Sequence, residues 1–264
     1  MSEKLLTNRK ALMNMIRRIA VEAGNITLKH FDDAGYQGAD TKADGSPVTL
    51  ADQEAEAYIE AQLKKILPNI LMIGEETASE RKRADLSAHE YFWLVDPLDG
   101  TKEFISGSGE YTVNIALIKN NKPHLGIVYC PTQKTLYYND HEKNVYKKVG
   151  EDITNLNKRN SVNESTEGLR VVVSRSHMSE ETSEYVSKLI KPKLISCGSS
   201  LKFLYIADDK ADIYPRFGPT MEWDTGAAHS ILNALDIQVI NLETGRELSY
   251  NKENLLNPHF IIKA

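Results

Sequence analysis

At 264 residues the chain is long enough to bury a substantial core without disulfide or metal staples, and its 41% hydrophobic and 26% charged content exclude a disordered or fibrous protein. Thirty-two Lys and Arg against 37 Asp and Glu leave a net charge of −5, which excludes the broad basic field of a nonspecific nucleic-acid binder. A local basic pocket that takes a nucleotide remains compatible with that balance.

The segment from Met1 to Lys10 is polar and lacks the apolar stretch of a signal peptide. No later window approaches ~18 uninterrupted apolar residues, so no transmembrane span is expected. The chain reads as cytoplasmic; peripheral attachment to the cytoplasmic face of the inner membrane would leave no mark here and stays open. Leu5, Leu12, Ile16, Ile19, Ala20, Ala23 and Ile26 recur at helical spacing and predict one amphipathic helix from Leu5 to Phe31, ended by Asp32-Asp33-Ala34-Gly35. A second helical pattern runs from Leu50 to Leu67 and stops at Pro68-Asn69. A first strand follows at Ile70–Ile73, then an apolar run, Tyr91 to Val95, that ends at Asp96-Pro97. Thr112–Lys119, Leu125–Cys130, Thr135–Asn139 and Asn144–Lys148 are short, β-rich and separated by turn residues, as in an antiparallel sheet.

The polar stretch Gly150 to Gly168 marks a boundary between an N-terminal half, 1–150, and a C-terminal half, 151–264. Beyond it the pattern alternates: strand Leu169–Val173, helix Glu180–Ile190, strand Leu194–Ser196, helix Ser199–Ala207, strand Asp212–Tyr214, helix Thr225–Leu235 and strand Ile237–Ile240. The first half is therefore α+β and the second α/β. Cys130 and Cys197 are far apart with no CxxC spacing, and both read as small buried hydrophobes of a reducing compartment.

The most informative stretch is Trp93-Leu-Val-Asp96-Pro97-Leu98-Asp99-Gly100-Thr101-Lys-Glu-Phe-Ile105. Pro97 fixes φ and biases Asp96 toward extended backbone, so two carboxylates and the Leu98 carbonyl can turn to one side of a tight loop. These are hard oxygen ligands suited to Mg²⁺. Gly100 permits close backbone approach, and Thr101 stands at a helix start whose free N–H groups favour a phosphate. Taken alone, Asp-Gly-Thr is more simply a strand-ending turn with an Asp cap. Gly74-Glu75-Glu76, after an apolar run, and Trp223-Asp224-Thr225-Gly226, at a helix start, add carboxylates at two further element ends. With Asp96 and Asp99 they supply the four carboxylates that a two-metal phosphatase needs.

In this order and spacing, GEE, WLVDPLDGTKEFI and WDTGAAHSIL resemble the motifs of the inositol monophosphatase superfamily, over most of the chain from Ser46-Pro-Val-Thr-Leu-Ala-Asp52 to Asp224. The resemblance implies a layered α-β-α-β-α sandwich and Mg²⁺, two or three ions, held by Glu75, Asp96, the Leu98 carbonyl, Asp99 and Asp224. It assigns catalytic roles to Asp52, Glu75 and Thr101, with Asp52 and Thr101 orienting a water for in-line attack on phosphorus and no covalent phosphoenzyme. Inhibition by Li⁺ is a further expectation.

Lys102 to Ile105, KEFI, is typical of the 3′(2′),5′-bisphosphate nucleotidase branch. The expected reaction is therefore removal of the 3′-phosphate of adenosine 3′,5′-bisphosphate, or of its phosphosulfate relative, in nucleotide recycling of sulfur assimilation. Ser174-Arg175-Ser176-His177, Ser199-Ser200-Leu201-Lys202 and Tyr214 to Thr220 resemble the segments lining the nucleotide pocket. The substrate would touch Glu75, Leu98, Asp99, Gly100, Thr101 and Asp224, with Ser199, Lys202 and Arg216 beyond them. Lys202 and Arg216 would hold the second phosphate, Arg by a fork and Lys as a point charge. His177 is either a base contact or a surface cap, and the run Glu80-Arg-Lys-Arg83 reads as a solvated face. The alternatives are an inositol-phosphate or sugar-phosphate phosphatase on the same scaffold, or a member with an added regulatory binding role. The expected partner is a small nucleotide, acting on a monomer or homodimer.

Overall fold

Residues 2–42, 45, 47–78, 89–140, 144–175 and 178–264 are described by a computed structural model. The expected first helix is broken at Asn8, whose side-chain oxygen accepts from the Ala11 N–H at 3.1 Å and caps a new helix. Helix α1, Ser2–Thr7, is thereby separated from α2, Arg9–Leu28. A two-stranded hairpin of β1, Asp40–Thr41, and β2, Pro47–Val48, precedes α3, Leu50–Ile66.

A seven-stranded sheet follows in the order β3, Leu71–Gly74; β4, Tyr91–Asp99; β5, Thr112–Lys119; β6, Lys122–Cys130; β7, Thr135–Asn139; β8, Val145–Val149; and β9, Asp152–Leu156. β3 runs parallel to β4, and the other neighbours are antiparallel. The period of two divides the sheet's apolar residues between its faces. Trp93, Val95, Ile115 and Leu117 pack under α2 and α3, whereas Phe92, Leu94, Ala116 and Ile118 enter an inner core.

The second sheet has the order β11, Lys193–Cys197; β10, Arg170–Ser174; β12, Ile213–Arg216; β14, Phe260–Lys263; and β13, Val239–Asn241. Helices α6, Leu201–Ala207, and α7, Glu222–Ala234, are packed between the sheets, and α5, Glu180–Ser187, covers the outer face of the second. The layers are therefore α-β-α-β-α, as expected. α7 lies across β4, β5 and β6. At their contact a Cβ on Gly126 would collide with the Ala227 carbonyl, so only glycine allows this approach.

Strands of both large sheets also differ from expectation. The stretch read as a polar boundary contains β9, whose side chains are mostly exposed and so show no apolar alternation. β14 was also missed. β4 does not end at Val95 but continues to Asp99, with a register shift against β5 between Asp96 and Asp99 where Pro97 withholds a ladder donor. Cys130 and Cys197 are both free and buried. No helix among the described residues is long and apolar enough to cross a membrane.

Candidate active site

The irregular end of β4 places two carboxylates at the seam between the halves. Asp96 is 1% exposed, and its carboxylate accepts from the Leu98 N–H at 2.9 Å. Asp99 reaches across to the second half, where its Oδ2 accepts from the Ser200 N–H, and it also accepts from Asn114 Nδ2 at 3.3 Å. Gly100 takes φ of 99°, a left-handed conformation suited to glycine, and directs the chain into α4, Thr101–Ile105. Phe104 anchors that short helix against Tyr111, Phe31 and Tyr36, so the Phe of KEFI is a packing residue.

Asp224 occupies the first turn of α7, because that helix begins at Glu222 rather than at Thr225. Its Oδ2 accepts from the Met221 N–H at 2.8 Å and closes the helix N-terminus. Asp52 does the same for α3, accepting from the Thr49 N–H at 2.8 Å and the Thr49 hydroxyl at 2.6 Å. Its other oxygen faces the Thr101 hydroxyl at 3.5 Å, and that hydroxyl also stands 3.4 Å from the Leu98 carbonyl. Both aspartates act as helix caps and also face the acidic site.

Burial raises the Asp96, Asp99 and Asp224 carboxyls above their ordinary range, and their own charges together with Glu75 add to the effect. Asp99 is pushed only to about 6, since Lys202 and its hydrogen bonds partly offset burial. Burial also raises Asp52 and takes Glu76 to about 7. Lys42, overlooked in the sequence, bridges Glu75 at 2.7 Å and Glu76 at 2.8 Å. Mutually repelling buried carboxylates with oxygen donors only suit a hard divalent cation. Among the described residues no three His, Cys, Asp or Glu side chains close into a cage. Mg²⁺ itself keeps waters and takes substrate oxygens as ligands beside one or two carboxylates.

A cavity of about 490 Å³ opens from Asp99 and Asp224, and its wall includes Gly100, Ser199, Lys202, Tyr214, Arg216 and Phe217. Asp52, Glu75, Asp96 and Thr101 are not part of that wall. Lys202 is 7% exposed, lies 6.0 Å from the Tyr214 ring, and has no hydrogen-bond partner among the described residues. Burial lowers it despite the nearby Asp99. Arg216 donates to the Pro219 carbonyl at 2.9 Å, and its buried Nε has no partner among the described residues. Arg175 is instead committed to Glu110, which it grips with two N–H groups. Ser176, His177 and the run 80–83 lie outside the described residues. Of the supporting polar residues, Ser200 stood within the segment Ser199-Ser200-Leu201-Lys202, whereas Asn114 and Glu56 carried no motif; a buried polar position on an apolar strand was the signal available at Asn114.

The model of the inositol monophosphatase family matches residues 8–260. The chain is 40% identical over 251 residues to the 3′(2′),5′-bisphosphate nucleotidase CysQ of Salmonella typhimurium, covering 94% of this chain and 98% of that one. With the same coverage it is 38% identical to CysQ of Escherichia coli (strain K12). Among solved structures, CysQ from Bacteroides thetaiotaomicron superposes with a TM-score of 0.78 at 37% identity, covering 97% of both chains. The inositol monophosphatase of Thermotoga maritima reaches 0.75 at 18% identity over 96% of this chain and 92% of that one, a likeness of fold alone.

Proposed function

The chain belongs to the inositol monophosphatase family, and from that premise we propose that it is a Mg²⁺-dependent 3′(2′),5′-bisphosphate nucleotidase that converts adenosine 3′,5′-bisphosphate to AMP and phosphate. The observation that carries the reading is one cavity shared by the carboxylates Asp99 and Asp224 and the bases Lys202 and Arg216. An inositol monophosphate has no second phosphate for those bases.

Glu75, Asp96, Asp99, Asp224 and the Leu98 carbonyl would hold two or three Mg²⁺ ions, which when bound polarise the reacting phosphate and neutralise its charge. Thr101 donates its hydroxyl proton toward Asp52 and turns a lone pair to the attacking water. Asp52, its carboxyl raised by burial, is suited to accept the proton released in the attack. Ser199, Lys202 and Arg216 hold the 5′-phosphate end. Gly100 lets backbone come close to the 3′-phosphate.

Phosphate release under Mg²⁺ tests the assignment. Catalytic efficiency on adenosine 3′,5′-bisphosphate should exceed that on inositol 1-phosphate by orders of magnitude. An equal or inverted preference would overturn it in favour of a sugar-phosphate phosphatase.

A further inference from the structure

Glu56 lies one turn after Asp52 on the same buried face of α3 and is 2% exposed. No Lys, Arg or His pairs with it among the described residues. Both of its oxygens go to backbone instead: Oε2 accepts from the Glu76 N–H at 2.9 Å and Oε1 from the Thr77 N–H at 3.0 Å. The Glu75 N–H is taken by the carbonyl of Val95, the residue before Asp96, at 3.1 Å. Three successive donors of the turn after β3 are therefore satisfied by two elements, α3 and β4. Gly74 belongs to the same device, because a Cβ there would collide with the Glu56 carboxyl.

We infer that Glu56 is a positioning residue for Glu75, fixing the backbone turn that holds this carboxylate beside Asp96 and thereby its competence to bind a divalent cation. The inference rests on the metal-dependent reading above. A buried carboxylate with no base as partner among the described residues costs desolvation that an apolar residue at this position would avoid. The two N–H bonds that its oxygens accept offset that cost, and they act on the one turn that carries Glu75.

Glu56→Ala should weaken Mg²⁺ binding about 10- to 100-fold by titration calorimetry without substrate, the usual effect of removing a group that orients a ligand. At saturating Mg²⁺ the KM for the bisphosphate should be unchanged. Amide exchange at Glu76 and Thr77 should accelerate. Glu56→Gln keeps one acceptor and should fall between wild type and Glu56→Ala; it carries the comparison if the alanine variant does not fold. Gly74→Ala should reproduce the Glu56→Ala defect, yet add little in a Glu56→Ala background where the collision partner is gone. Ile59→Ala, a packing change on the same helix, should lower Tm without weakening Mg²⁺ binding. Wild-type Mg²⁺ affinity in Glu56→Ala, or an equal loss in Ile59→Ala, would overturn the inference. If wild type itself binds no Mg²⁺, the metal-dependent reading fails, and unchanged exchange at Glu76 and Thr77 in Glu56→Ala would separately refute the hold on the turn.

Discussion

Recognition and stability pull in opposite directions at Lys202. Its side chain is buried in the cavity wall, and burial lowers it more than Asp99 restores it. A lysine held below its unfolded value costs stability while charged, and that cost fades only as the pH rises toward the unfolded value. Lys202→Met keeps the length of the side chain and removes the charge. Relief of a partly desolvated charge is worth about 1–3 kcal/mol, so the Tm should rise by roughly 2–10 °C. Asp99, which Lys202 helps to keep ionised, should move further up from about 6. Activity should move the other way: losing a charge-assisted contact of ~1.5–3 kcal/mol lowers kcat/KM on adenosine 3′,5′-bisphosphate about 10- to 150-fold. Adenosine 3′-monophosphate, without the 5′-phosphate, should be hydrolysed with little change. Scanning calorimetry and phosphate release on both substrates decide the matter. A lower Tm, or equal loss on both substrates, would refute the reasoning.

Chelation should abolish phosphate release and added Mg²⁺ should restore it, with Li⁺ inhibiting when titrated against Na⁺ at equal ionic strength; full activity in excess chelator would remove the metal chemistry. Thr101→Val should lower kcat by about 10²- to 10⁴-fold, the usual worth of positioned proton transfer, with KM little changed, and a rise in KM alone would make Thr101 a binding residue. In chelator, Asp99, like Asp96 and Asp224, has a raised folded value and should add stability as pH falls through about 6 toward 3.8, whereas the lowered imidazoles His124 and His229 lose it over the same range, so the Asp99 part is read as the difference in pH slope between wild type and Asp99→Asn. Asp212, which burial would raise but Arg170 and Arg159 hold low, loses its contribution only below that window. With Mg²⁺ the trend should reverse, since protons compete for the same oxygens. An Asp99→Asn variant whose Tm in chelator rises as steeply as wild type, or falls less steeply, as pH drops across this window would contradict the sign.

Much of the fold was legible because its helices and central strands bury one face each. The periodicities of α2, α3 and α7 and the runs of β4 to β7 follow from that burial. β9 escaped notice because both of its faces are largely exposed, so a strand held by its ladder bonds alone leaves no apolar signature. The break at Asn8 turns on one side-chain hydrogen bond, which spacing cannot show. Within the site, Asp96, Asp99 and Asp224 stood out as carboxylates at element ends. Glu56 did not, because among Gln53, Glu54 and Glu60 it looks like one more solvated charge of an amphipathic helix. Its distinction lies in facing Gly74, a contact between segments far apart in the chain. Lys42 was likewise hidden, since its partners Glu75 and Glu76 follow only after the whole of α3.

The seat of α7 on the large sheet bears on how the chain is made. The sheet is finished in sequence at Leu156, but the helix that covers its inner face is complete only at Ala234. At about 5–20 residues per second, that interval occupies roughly 4–16 s of synthesis. Throughout it Phe92, Leu94, Ala116, Ile118 and Val128 lack the helix they finally pack against. The nascent N-terminal half is therefore an apolar surface waiting for its cover, and a chain stopped after β9 should aggregate rather than persist as a soluble domain.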